Sequence, residues 1–241
     1  MQPKTKEHTA LIGTNKRNLK AGVLRRIRKN RAIAVWTPND FLDLASRSAV
    51  DKTLQRLVLA SDIRRIDRGL YDLPRINQLT GKPTSPDYAA VIDAVARREK
   101  ARLLPDGITA ANQLGLTNAV PAKITVHTDA RLRPIQLERM TIEFKLTAPS
   151  RLYWAGRPAM QIVQSLHWLH DILTVDSDAI FSRIKRLLDD PKHGKTLRSD
   201  LQNGLDALPG WMRELVTNLL TSSKHAPAHS PSLSARRPRR S

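Results

Sequence analysis

The sequence predicts an α+β protein, mostly helical: an N-terminal winged helix-turn-helix, then an α+β domain with a small antiparallel sheet and C-terminal helices. Three observations carry this expectation. A complete helix-start signature stands at 36–41. It is followed by an amphipathic helical pattern after a three-residue turn and then by a glycine-centred hairpin. Between 123 and 146, three short strand-like runs stand between segments of helical period. The boundaries drawn from these patterns are a basic flexible lead (1–18), a winged-helix domain (19–75), an α+β domain (76–221) and a disordered basic tail (222–241).

The charge is uneven. The chain of 241 residues carries 41 Lys+Arg against 22 Asp+Glu, a formal charge of +19. Residues 1–31 hold ten of those basic residues and a single acid, Glu7. Residues 222–241 hold Lys224, Arg236, Arg237, Arg239 and Arg240 with no acid at all. The two ends thus supply +14 of the +19, as basic arms around a nearly balanced body, and the partner expected of such arms is a polyanion. With no cysteine, disulfide frameworks, thiolate catalysis and Cys-based zinc sites are excluded. No run approaches the ~18 apolar residues of a membrane span. The basic N-terminus lacks the apolar core of a secretory signal. A cytoplasmic, nucleoid-associated location is expected, with no membrane partner.

From Lys16 to Asn30, Leu19, Val23 and Ile27 fall on one helical face with Leu24 beside them, while Lys20, Arg25, Arg26, Arg28 and Lys29 occupy the rest. The stripe has no aromatic anchor, which argues against a membrane-surface helix. At 36–41, Thr37 is an N-cap, Pro38 fits the first helical position, and Asp40 completes a capping box. Trp36 and Phe41 form a hydrophobic staple. A helix is therefore expected over 38–45. Ser48 with Asp51 is expected to cap a second helix to about residue 60, facing inward with Val50, Leu54 and Leu57. Lys52, Gln55 and Arg56 then lie on the opposite face, with Arg47 and Ser48 at its start. Leu59 also points outward, which this scheme leaves unexplained. Strands at 63–66 and 70–73 flank a turn at Asp67-Arg68-Gly69, and Pro74 ends the second strand.

The outward residues suit DNA. Gln55 can pair with adenine, and Arg56 or Lys52 with guanine, from a helix in the major groove. Arg64, Arg65 and Arg68 would line the wing, with Arg25, Arg26 and Lys29 on the preceding helix as phosphate contacts. Residues 32–75 carry a net charge of only +1, so a solvated surface on a structural or protein-binding winged helix stays open.

The run DFLDLASRSAVDKTLQRLVLASDIRRIDRGLYDLP, reached from Trp36, and the block LLPDGITAANQLGLTNAVPAKITVHTD at 103–129 together resemble AbiE-type antitoxins. These are the repressor halves of type IV toxin–antitoxin (abortive infection) systems, and the similarity spans roughly residues 20–190. The resemblance implies a recognition helix at 49–60, a wing at 63–73 and binding to inverted repeats in the protein's own promoter. It further implies a second domain needed for antitoxin action and a neighbouring nucleotidyltransferase toxin as partner. Whether a homodimer sits on the DNA, and whether the toxin is contacted directly, it leaves open.

In the second domain, helices are expected over 85–103, 108–114, 158–173, 177–189, 196–207 and 211–220. Antiparallel strands are expected at 123–128, 133–137 and 141–146, joined by tight turns. No P-loop, GxGxxG, GxSxG or HExxH is present, so neither an enzyme nor a cofactor site is expected. His167 and His170 are expected to pack around Trp168, His127 to be structural, and Trp154, Trp168 and Trp211 to be core. Asp176, Asp178, Asp189 and Asp190 read as cap or loop acids. The competing functional class is a non-specific nucleic-acid-binding or architectural protein driven by its arms.

Overall fold

In the computed structural model, the described residues are 18–30, 32–119, 121–171 and 177–221. The basic lead before residue 18, the tail from 222, and Asp176 lie outside them. Among the described residues the protein is α+β, with eight α-helices and two small sheets. The chain divides into two compact units, 1–168 and 169–241.

In the first unit, α1 (18–29) buries Val23 and Ile27, two of the three apolar residues spaced four apart. Strand β1 (Val35–Trp36) follows. The capping signature then forms as expected: the Thr37 N–H donates to Asp40 Oδ2 at 2.7 Å, and the Trp36 and Phe41 rings stack with centroids 5.3 Å apart. It does not start the α-helix expected over 38–45. Pro38–Phe41 is a single 3₁₀ turn, and the Leu44 N–H still bonds three residues back to Phe41. The reason is local. Leu42 and Leu44 are exposed, so the buried anchors, Pro38 and Phe41, both lie within the turn, and so short an anchored stretch does not sustain i→i−4 bonding.

Helix α2 spans Arg47–Leu59 and begins earlier than expected. Its N-cap is Ser46, and Ser48 lies inside the first turn. Asp51 is not a capping partner, because it accepts from Arg47 Nε at 3.0 Å across one helical turn. Val50, Leu54 and Leu57 are fully buried against Val23, Ile27, Trp36, Phe41 and Tyr71. The helix ends in a Schellman arrangement: Ser61 takes φ 56°, its N–H reaches Val58, and the Asp62 N–H reaches Leu57. Lys20 of α1 pairs with Asp62 at 2.8 Å, tying the two helices together.

Strands β2 (Arg64–Asp67) and β3 (Leu70–Asp72) form the expected hairpin, with Gly69 at φ 71° in the turn and an irregularity between Arg65 and Asp67. Strand β1, too short to read from the sequence, pairs antiparallel with β3 and gives the order β1-β3-β2.

Helix α3 (Tyr88–Glu99) is shorter than expected, capped by the Asp87 carboxylate and ended by Lys100 in the left-handed region. Strand β4 (Leu103–Pro105), which the sequence pattern does not predict and whose first residue falls within the helix expected there, leads into α4 (Gly107–Gln113). Strands β5 (Lys123–Thr128), β6 (Ile135–Leu137) and β7 (Met140–Leu146) complete a second sheet ordered β4-β5-β7-β6. This sheet is mixed, not antiparallel. Residues 129–134 carry the chain past the β7 position, β6 becomes the far edge, and β7 returns between them parallel to β5. One apolar cluster joins β1 and β3, through Val35 and Leu70, to Val91, Ile92 and Val95 of α3 and to Ile124, Val126 and Ile142 of the second sheet.

Helix α5 (Met160–Leu169) lies against α4, where a Cβ added to Gly107 would fall 2.5 Å from both the Gln164 carbonyl and Trp168 Cβ. In the second unit, α6 (Ser177–Leu188), α7 (Gly194–Asn203) and α8 (Gly210–Thr221) bury Ile184, Leu188, Leu201, Met212 and Val216. Arg198 of α7 donates to the Leu188 carbonyl at 2.9 Å and pairs with Asp189. No helix among the described residues is long and apolar enough to cross a membrane.

Candidate nucleic-acid interface

The amphipathic spacing of α2 decides which side chains face out. With Val50, Leu54 and Leu57 turned to the core, Arg47, Ser48, Lys52, Gln55 and Arg56 are all exposed, as the spacing predicts. Arg47 is held by Asp51 and by Asn39 Oδ1 at 3.1 Å. Lys52 and Arg56 have no carboxylate partner among the described residues. Leu59 is 79% exposed, and no segment among the described residues covers it.

The hairpin arginines separate. Arg65 and Arg68 are exposed and pair with no acid among the described residues. Arg64, expected beside them, is folded inward. Its Nη2 and Nε donate to the two Asp72 carboxylate oxygens at 2.6 and 3.0 Å, and its Nη1 to the Thr84 carbonyl at 2.9 Å. Asp72, followed by Glu138 at longer range, holds the Arg64 guanidinium above its ordinary pKa. A nearly buried aspartate needs that partner, so Arg64 is a strut of the hairpin.

A similar division holds on α1. Arg25 and Lys29 are exposed, whereas Arg26 grips both oxygens of Asp43, donates to the Asp40 carbonyl at 2.7 Å, and lies over the Phe41 ring. The hydrogen bond from Arg26 pulls the Asp43 carboxyl below its ordinary pKa.

Between α2 and the hairpin lies an open cleft of about 1000 Å³. Gln55 and Leu59 line it from the helix, and Arg65, Arg68 and Tyr71 from the hairpin. Two lining arginines went unread in the sequence: Arg98 from the last turn of α3 and Arg133 from the loop before β6. Arg98 Nη1 donates to the Arg68 carbonyl at 2.7 Å and so holds the hairpin tip. The adjacent Arg97-Arg98 pair falls inside the helix expected over 85–103, and no local signal shows its reach to residue 68. Desolvation by burial pushes the Tyr71 hydroxyl above its ordinary pKa, so it stays protonated at neutral pH.

Elsewhere the described residues offer no group of three metal ligands. His170 Nδ1 lies 3.0 Å from Asp171 Oδ1, which accepts its hydrogen bond, and the ring leans on Trp211. His167, Trp168 and His170 are exposed, so the histidines are not packed around a core tryptophan as expected. Trp154, by contrast, is buried. The helix turns Trp168 outward because Ile162, Val163 and Leu166 already fill its inner face. His127 bonds through Nδ1 to Thr147 Oγ1 at 3.0 Å, and burial, then Lys145, lower its pKa. Asp190 caps the turn before α7, accepting from the Lys192 and His193 N–H groups.

No curated protein matches the chain. Residues 22–195, from within α1 to the start of α7, match the model of a family of unknown function, DUF6088, and the chain belongs to that family.

Proposed function

We propose that the chain is a sequence-specific DNA-binding protein, its residues 19–75 a winged helix in which α2 reads the major groove and the β2–β3 hairpin is the wing. The succession of helix, short strand, turn, helix and hairpin, with β1 paired to the hairpin, supports this reading. The observation that carries it is the outer face of α2. Lys52, Gln55 and Arg56 stand exposed on one side of a helix whose other side is pinned in the core. Base-edge recognition requires that combination of rigid backing and unengaged donors.

In its resemblance to AbiE-type antitoxins, the chain is a repressor of its own operon that counteracts a nucleotidyltransferase toxin encoded beside it. The test is a mobility shift with the DNA upstream of the reading frame, challenged with excess random duplex. Wild type retains its complex, and the triple variant Lys52→Ala, Gln55→Ala, Arg56→Ala loses the preference while keeping its fold by circular dichroism. A triple variant that still prefers the upstream DNA overturns the assignment of α2. Co-expression with the neighbouring toxin, if one is encoded there, tests the antitoxin half: growth must be rescued by the chain.

A second reading rests on the charge distribution, since +14 of the +19 lies in residues 1–31 and 222–241. Under it the arms coat DNA without regard to sequence, and deletion of 1–15 and 222–241 abolishes binding to every duplex alike.

A further inference from the structure

The cleft between α2 and the hairpin holds an excess of positive charge that nothing among the described residues offsets. Five arginines line it (Arg47, Arg65, Arg68, Arg98 and Arg133) against two acids. Both acids are already engaged: Asp51 by Arg47 at 3.0 Å and Glu99 by Arg98 at 2.7 Å. Arg65, Arg68 and Arg133 are left with no ion pair among the described residues. Three unneutralised guanidinium groups around one opening repel each other, and each presents the donor fork that suits phosphate oxygens.

We propose that this cleft seats the phosphate backbone of one strand of duplex DNA, and that Arg133 is one of its phosphate contacts. The inference rests on the DNA-binding reading above and extends it, because Arg133 lies about sixty residues beyond the helix–hairpin segment. Three features favour a backbone over a compact anion. The cleft is open to solvent, Gln55 and Leu59 from the exposed side of α2 line it, and its volume of about 1000 Å³ far exceeds a single phosphate. The site is also set before ligand arrives. Arg98 fixes the hairpin tip through the Arg68 carbonyl, and Gly69 supplies the positive φ that lets the turn approach it. A prearranged site loses less entropy on binding. Phosphate contacts orient a protein on the duplex without reading bases, so Arg133 sets affinity and register, and α2 sets preference.

Binding of the full chain to the upstream duplex and to a random duplex, followed by fluorescence anisotropy across salt, tests this. Arg133→Ala should lower the slope of log affinity against log salt by about 0.9, the value of one phosphate contact. Its deficit relative to wild type should shrink roughly 3- to 4-fold between about 50 and 200 mM salt, equally on both duplexes. Arg133→Lys keeps the charge and should keep the slope. Arg131→Ala, an exposed neighbour that does not line the cleft, should match wild type. If Arg133→Ala binds with an unchanged slope, or Arg131→Ala falls as far, the inference is overturned while the DNA-binding reading stands. If wild type binds neither duplex, both fall together.

Discussion

Arg64 is where the sequence pattern and the packing disagree most sharply, and replacing it separates the two. Arg64→Ala removes three hydrogen bonds, two to Asp72 and one to the Thr84 carbonyl. The Asp72 carboxylate is left with a side chain only 10% exposed, while Arg64 itself is 24% exposed. Breaking a fully buried pair costs about 3–5 kcal/mol. Because water reaches the guanidinium edge here, the cost should be nearer about 2–3 kcal/mol. For a chain of this length that is a fall in Tm of roughly 4–12 °C. Urea denaturation followed by circular dichroism should show the lowered midpoint. The double variant Arg64→Ala, Asp72→Ala should lose less than the sum of the singles, with a coupling of at least about 1 kcal/mol. The DNA arm of the experiment is decisive. With its guanidinium turned inward, Arg64→Ala should leave the salt slope of binding unchanged, whereas Arg65→Ala should lower it by about 0.9. A variant with wild-type stability and a reduced slope would refute the reasoning, for it would mean that Arg64 leaves Asp72 to meet phosphate.

Three further outcomes follow from local geometry. Ser61 holds a left-handed conformation at the end of α2, so Ser61→Gly should raise stability by about 0.5–1 kcal/mol, read as a higher urea midpoint. Gly107→Ala drives a methyl to 2.5 Å from the backbone of α5 and should destabilise by about 1–3 kcal/mol; an unaltered midpoint would show that α5 shifts freely. Burial and Lys145 depress the His127 pKa, so below the ordinary histidine value of about 6.5 the unfolded chain takes up the proton first. Stability is therefore intact above that pH and declines as pH falls through it. NMR titration of the imidazole should give a midpoint below 6.5, and His127→Gln should flatten the decline.

The parts of this fold legible in the sequence are those fixed within a few residues. The capping box, the Trp36–Phe41 staple and the inward face of α2 all depend on neighbours within one or two turns, and each formed. The identity of the element at 38–45 did not follow, because a capping signature opens a 3₁₀ turn as readily as an α-helix when Leu42 and Leu44 beyond it stay exposed. Pairings between distant segments were hidden. The parallel β5–β7 pairing depends on where residues 129–134 lead the chain, and β1 and β4 have two and three residues with too little pattern to register. Arg64 and Arg65 are adjacent on a strand, so one must point in and the other out, but an irregular ladder and a non-local Asp72 decide which. Arg98 and Arg133 reach the cleft from elements whose placement no local motif encodes.

The apolar cluster shared by Val35, Leu70, helix α3 and the second sheet has a practical consequence. Cutting the chain after Pro74 would strip the hairpin of its backing and leave Val35 and Leu70 facing water. Such a fragment should be sticky and poorly behaved, however self-sufficient residues 19–75 look on paper. The same sharing makes the hairpin mechanically stiff, so a load applied at its tip is passed to the strands behind instead of being absorbed by a hinge.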